Sequence, residues 1–290
     1  MSSRGGQYFA DAEKKLKSWS LFDKNGKYTD AADLFMKAGN AYKSIRDFNN
    51  AGEAYSRAGD CFQHVDSLTE AASAFADSGK MFAKDEANRE KALAAFNKAQ
   101  RMYRENSKPL NAARLMEEAA KLFQETNDLE SAMQTLTDAA QIYEDEGSIQ
   151  QSLNVLTQVA DIKSSQKNWV EAGKLYRDIA LKKMDDRLTA LLSSEFCTKA
   201  VLCELAAGDF VGAKIFINDF LAKNPAWDRS HEYNMIQALI KAIEETKPDD
   251  FAQAVYDYDQ IKRLDNWMTS TLLLIKKQIE VGDEEEESIL

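Results

Sequence analysis

Written in rows of twenty, this chain lines up with itself, and that period limits its fold more than any other feature. Residues 30–42, 50–62, 70–82, 91–103, 111–123 and 131–143 superpose, followed more weakly by 151–163 and 171–183. One column holds small residues at Ala32, Gly52, Ala72, Ala92, Ala112, Ala132 and Ala172. A second holds Gly39, Gly59, Gly79, Ala120, Ala140, Ala160 and Ala180, and a third is aromatic at Tyr42, Phe62, Phe82, Tyr103, Phe123 and Tyr143. Within a row, Ala32, Phe35, Gly39 and Tyr42 fall at i, i+3, i+7 and i+10, which is one face of an α-helix. Each row is therefore expected to be an amphipathic helix. Its small residues admit a neighbouring backbone, and the aromatic fills the space where the next helix diverges.

Short connectors such as Ile45-Arg46-Asp47 and Asp66-Ser67 make successive helices antiparallel, so two rows form a hairpin of about 40 residues, longer than the 34 of a tetratricopeptide repeat. No row of this length buries enough surface to stand alone, and stacking the hairpins predicts an all-α, right-handed superhelical, TPR-like α-solenoid. Composition agrees, since 3 Pro and 12 Gly in 290 residues give a sheet little turn chemistry. Past about residue 188 the period fades while helical patterning continues. Helices are expected near 188–207, 209–223, 227–245, 248–261 and 264–281, with Pro225 and Pro248 at helix starts or the turns before them. The expected organisation is a repeat solenoid over 1–185 with an apolar loop at 18–26, a C-terminal helical bundle over 186–282, and an acidic tail over 283–290.

Catalytic chemistry finds little to work with. Histidine is limited to His64 and His231, and no Gly-rich phosphate loop occurs. Asp23-Lys-Asn25-Gly26 lacks the closing Glu and the Gly register of a calcium loop and reads as a polar turn. Cys61, Cys197 and Cys203 suggest neither a disulfide framework nor a zinc site, but buried thiols. No enzyme, metal or cofactor is expected. Net charge is −11, and setting aside the five acidic residues at 283–287 leaves a body near −6, which disfavours nonspecific nucleic-acid binding. Mean hydropathy is −0.50, and no apolar run is long enough to span a bilayer. Met1-Ser-Ser-Arg-Gly-Gly has no secretion-signal stretch, and Ser2 stands where myristoylation needs glycine, so a cytoplasmic address is expected.

Two segments call for a function. Trp19, Leu21 and Phe22 sit in a polar loop flanked by Lys14, Lys15, Lys17, Lys24 and Lys27. They either plug against the next helix or insert into an anionic membrane surface. The tail Gly282-Asp-Glu-Glu-Glu-Glu-Ser-Ile-Leu290 is a block of like charge, expected to be unstructured in isolation. Two branched aliphatics finish it, which favours a docking motif for a basic cleft over a merely solubilising end.

The stretch Tyr258-Asp-Gln-Ile-Lys-Arg-Leu-Asp-Asn-Trp267-Met-Thr, running on through Leu272-Leu-Leu-Ile-Lys-Lys to the acidic Ile-Leu end, resembles the alpha-SNAP type of the soluble NSF attachment protein family. So do Ala-Ala-Asp-Leu-Phe-Met-Lys-Ala in the first row, the aromatic loop at 19–22, and Asn-Pro-Ala-Trp-Asp-Arg-Ser-His-Glu at 224–232. The middle rows also look somewhat like gamma-SNAP. The resemblance implies a cytoplasmic, peripherally membrane-associated adaptor, monomeric alone, several copies of which coat one SNARE four-helix bundle. It recruits and stimulates the hexameric AAA ATPase NSF for SNARE disassembly in vesicle fusion and intracellular transport. Implied SNARE contacts fall on Lys84, Lys108, Arg114, Leu188, Leu191 and Arg229, and implied ATPase contacts on Asp209, Glu244, Glu245, Glu286, Glu287, Ile289 and Leu290. Two family lysines are Asn154 and Gln158 here, and a family arginine is His231. The alternative reading is a gamma-SNAP-like or general TPR-like trafficking scaffold.

Overall fold

The computed structural model describes residues 4–18, 25–185 and 189–287, with side chains described as far as Glu280. Among them lie fourteen α-helices and no strand: α1 Arg4–Lys17, α2 Gly26–Ser44, α3 Phe48–His64, α4 Leu68–Phe82, α5 Arg89–Glu105, α6 Pro109–Glu125, α7 Leu129–Asp145, α8 Ile149–Ser165, α9 Trp169–Met184, α10 Ser193–Ala206, α11 Phe210–Lys223, α12 His231–Glu244, α13 Pro248–Ile261 and α14 Asn266–Glu287. Every expected row falls inside one helix. No helix among the described residues is long and apolar enough to cross a membrane.

The chain divides into two compact units, Met1–Val155 and Leu156–Leu290. That division falls within α8, whereas the expected boundary at 185/186 follows the fading of the period. In the N-terminal unit each helix from α2 to α7 packs on its predecessor, the arrangement of a helical-hairpin array. The period is written into its turns. Arg46, Asp66, Ser107, Asn127 and Gly147 all take positive φ, and one residue later a backbone N–H donates back to Tyr42, Phe62, Tyr103, Phe123 and Tyr143 at 3.0, 3.0, 2.8, 2.9 and 2.7 Å respectively. Each turn is thus a Schellman closure, and the aromatic column marks the residue whose carbonyl accepts its long bond. Asp47 and Asp128 then cap the next helices through Asn50 N and Ser131 N. The α4–α5 connection differs by inserting the 3-10 turn Glu86–Asn88, which absorbs the extra residue that moves the fourth row from 90 to 91.

The deepest side chains of this unit lie in a different column. Phe35, Tyr55, Phe75, Phe96, Met116 and Leu136 are all buried, whereas Tyr42, Phe62, Tyr103 and Phe123 are only half-buried. A Cβ on Gly39, Gly59 or Gly79 would lie only 2.6, 2.8 or 2.5 Å from the ring of Tyr55, Phe75 or Phe96. The second small column is therefore the seat of the buried rings on the following helix.

The C-terminal unit is organised around α10, which packs against α9, α11, α12 and α14. Ten of its fourteen residues are buried, among them Phe196, Val201, Leu202 and Leu205, as expected of a helix surrounded by others. Cys197 and Cys203 are buried here and Cys61 in the other unit, all as free thiols. Burial raises all three, Cys61 to about 11 and Cys203 to about 12, so they stay protonated at neutral pH.

Three boundaries differ from expectation. The segment expected as a helix at 227–245 opens with the 3-10 turn Pro225–Arg229, and α12 begins at His231 because Ser230 Oγ accepts from Tyr233 N at 3.0 Å. Likewise α10 starts only after the 3-10 turn Ala190–Leu192. Helix α14 continues to Glu287, six residues past the expected end, so the acidic run prolongs the last helix; glutamate is a good helix former.

Candidate functional site

In the N-terminal unit, α1, α3 and α5 neutralise one another. Arg57 bridges to Glu13 at 2.6 Å, Lys91 to Glu53 at 3.4 Å and Lys98 to Asp60 at 3.1 Å, each pair skipping one helix. Lys37, Lys80 and Lys84, on or just after α2 and α4, are exposed and form no ion pair among the described residues. Lys108 is the N-cap of α6, and its Nζ donates to Thr69 Oγ1 at 3.2 Å. Arg114 is exposed on α6 beside Tyr143, whose hydroxyl donates to Glu117 Oε1 at 2.6 Å. Burial first, then Glu117, raises the Tyr143 hydroxyl and keeps it a neutral donor.

The structure thus brings Lys108 and Arg114 onto one helix. Lys84 stands away from them: Thr69 marks the start of α4 and Lys84 follows its end, about 22 Å along the axis for fifteen residues. Asn154 is exposed and Gln158 half-exposed on α8.

In the C-terminal unit, Leu191 is 88% exposed, an uncovered apolar side chain. It shares a cavity of about 330 Å³ with Met184, Ser194, Asn224 and Trp227. Arg229 extends from the 3-10 turn that carries Trp227, its side chain 90% exposed and its Nε 3.7 Å from Asp228. Leu191 and the turn bearing Arg229 therefore border the same hollow.

Asp209 caps α11, its Oδ1 accepting from Gly212 N at 2.8 Å. Glu244 ends α12 and pairs with Lys214 of α11, and Glu245 lies 2.8 Å from Lys247. The hydrogen bond from Lys247 holds the Glu245 carboxyl below its ordinary range. Between the start of α11, the end of α12 and the middle of α14 lies a hollow of about 180 Å³ lined by Phe210, Ile243, Thr246, Ile275, Gln278 and Ile279. Asp209, Glu244 and Glu245 are the sequence neighbours of its lining residues Phe210, Ile243 and Thr246, and Lys214 and Lys247 pair with the two glutamates.

The sequence reading missed this hollow, because its lining residues are spread over 70 positions and only Phe210, directly after an acidic cap, offers a local signal. Trp19, Leu21, Phe22, Leu188, Ile289 and Leu290 lie outside the described residues, and Glu286 and Glu287 belong to the backbone of α14. Of the lysines flanking the apolar loop, Lys15 is engaged with Asp30 at 2.6 Å and Lys27 donates to Leu16 O at 3.4 Å, while Lys14 and Lys17 are exposed.

A family model described as "Soluble NSF attachment protein, SNAP" matches residues 3–280. Alpha-soluble NSF attachment protein of Mus musculus is 34% identical over 120 residues, 41% of this chain and 40% of that one. The Homo sapiens protein of the same description is 33% identical over 120 residues, again 41% and 40%. Vesicular-fusion protein SEC17 of Komagataella phaffii is 30% identical over 118 residues, 41% and 40%. The aligned stretch spans about two fifths of these relatives' length, whereas the family model extends over almost the whole chain. The chain belongs to the soluble NSF attachment protein family.

Proposed function

We propose that this chain is a non-enzymatic adaptor that lies along an assembled SNARE four-helix bundle and recruits and stimulates the hexameric ATPase NSF, ATP hydrolysis taking place on that partner. The observation that carries the reading is the separation of charge along one chain. Exposed cations at Lys84, Lys108 and Arg114 belong to the N-terminal unit, where other helices pair their charges off. Carboxylates of Asp209, Glu244 and Glu245 belong to the C-terminal unit, next in sequence to residues that line an apolar hollow. Opposite charge at two sites lets one chain orient two different partners, with gains in on-rate and register rather than in raw affinity. Leu191 and Arg229 would add an apolar contact and a cation to the SNARE surface.

The test is ATP-dependent disassembly of a preassembled SNARE complex by this chain and the ATPase. Wild type should support it at low salt, and absence of disassembly there would sink the reading. Lys108→Glu with Arg114→Glu should bind the bundle about tenfold more weakly at low salt and with a flatter salt dependence. Unchanged affinity would remove these two residues from the surface.

The same reading makes Trp19, Leu21 and Phe22 a peripheral membrane contact, supported by Lys14 and Lys17 standing exposed at the end of α1 beside that loop. Trp19→Ser/Phe22→Ser should cosediment several-fold less with anionic phospholipid vesicles than wild type. Equal cosedimentation would exclude insertion.

A further inference from the structure

The acidic end of the C-terminal unit is unusually apolar for a surface meant to attract by charge. Phe210, Val211 and Ile215 are 37%, 70% and 55% exposed on the first turns of α11, while Phe216, Ile217 and Phe220 of the same helix are buried. Clustered exposure of large apolar side chains calls for a covering partner. Phe210 also lines the hollow of about 180 Å³, together with Ile243, Ile275 and Ile279. The chain segments that line it carry Asp209, Glu244, Glu245, Asp249, Asp250 and Glu280 against Lys214, Lys241, Lys247, Lys276 and Lys277, and of these carboxylates Glu244, Glu245, Asp250 and Glu280 are ion-paired, so the negative surplus comes mainly from the run that follows. Helix α14 leaves the hollow at Ile279 and carries the acidic run 283–287 roughly 6–12 Å farther along its axis.

We propose that this hollow is the anchoring pocket of the ATPase contact, taking one aliphatic or aromatic side chain from a basic segment of that partner while the carboxylates around it steer the approach. The occupant follows from charge complementarity. The acidic run beyond it repels an acidic segment, and an apolar lining gives a purely polar one nothing to bury. A desolvated apolar centre inside a charged rim is the usual layout of an interface hot spot. The inference rests on the adaptor reading and adds to it that affinity comes from Phe210 and its neighbours, whereas the acidic residues govern rate and salt dependence.

The full chain, immobilised, is titrated with the intact ATPase hexamer in a non-hydrolysable nucleotide at 50 and about 200 mM salt. Phe210→Ser should weaken binding by about tenfold at both salts, and Phe210→Leu should bind nearly as wild type. Val211→Ser/Ile215→Ser, at two exposed positions that folding does not need, should cost several-fold and guards against a Phe210→Ser that merely unfolds. Glu244→Gln/Glu245→Gln should lose affinity mainly at 50 mM. If Phe210→Ser and Val211→Ser/Ile215→Ser bind as wild type while Glu244→Gln/Glu245→Gln loses binding, the pocket is overturned and the adaptor reading stands. If wild type fails to bind the hexamer, both fall.

Discussion

Replacing Trp267 by alanine is expected to loosen the C-terminal unit by roughly 3 kcal/mol. Trp267 lies in the first turn of α14, and its side chain joins four helices. Its Nε1 donates to Ser164 Oγ of α8, a hydroxyl only 2% exposed. Its ring meets Tyr176 of α9 edge-on at 6.0 Å, and Lys199 Nζ of α10 lies 5.4 Å from it. Lys199 Nζ also lies 5.3 Å from the Tyr176 ring and donates to Asp161 at 3.3 Å, and the Tyr176 hydroxyl donates to the same carboxylate at 2.5 Å. Burial first, then Asp161, raises the Tyr176 hydroxyl, so it remains a donor wherever the protein is folded. Trp267→Phe keeps an aromatic face but loses the hydrogen bond to Ser164 and part of the indole's packing, for about 1–2 kcal/mol. Amide hydrogen exchange over residues 156–206 is the measurement. Faster exchange there in Trp267→Ala, with residues 26–145 unchanged, is the expected result, and wild-type protection throughout would refute it.

Trp267 also shows what a family signature does and does not say. The Arg-Leu-Asp-Asn-Trp segment supports much of the resemblance, yet its tryptophan faces inward and touches no candidate partner surface. Asp265 of the same segment accepts from Met268 N at 2.7 Å and so caps α14. The segment is distinctive because it has to close a bundle.

The solenoid half was legible because its geometry repeats. One turn type recurs at fixed spacing, so columns stay in phase from residue 30 to 143 apart from a single slip at the 3-10 turn. The same rows extend backward: Ala12 stands twenty residues before Ala32, and it is buried in α1. That helix went unread because its row has few large apolar residues and ends in lysines. Asp209 and Lys108 were named from the resemblance, and the structure makes them the N-cap residues of α11 and α6. The apolar hollow was not legible, since α11, α12 and α14 each contribute one edge and none has a pattern that a lone amphipathic helix would lack. The fully buried column was half hidden, with Met116 and Leu136 breaking the aromatic series that made the neighbouring column conspicuous.

Gly79→Ala is expected to destabilise the N-terminal unit by about 2 kcal/mol, although alanine in place of glycine normally favours a helix by about 1 kcal/mol. The added methyl would lie 2.5 Å from Phe96 Cδ1 and Cε1, and Phe96 is 1% exposed in a cluster with Phe75, Phe82, Ala92 and Ala99. Either the buried ring or the helix backbone must shift to admit it. Phe96→Leu alone opens a void and should itself cost about 1–2 kcal/mol, yet combined with Gly79→Ala the loss should fall well short of the sum, giving a coupling of about 1 kcal/mol or more in a double-mutant cycle. A stabilising Gly79→Ala, or strictly additive losses, would mean that the ring and the glycine do not form one packing unit. The same logic explains the drift of the small column along this unit. Gly39, Gly59 and Gly79 are each followed one row on by a ring at Tyr55, Phe75 and Phe96, whereas Ala120 is followed by Leu136. At that step the buried side chain narrows from a ring to an aliphatic and the position before it carries a methyl, in keeping with close packing.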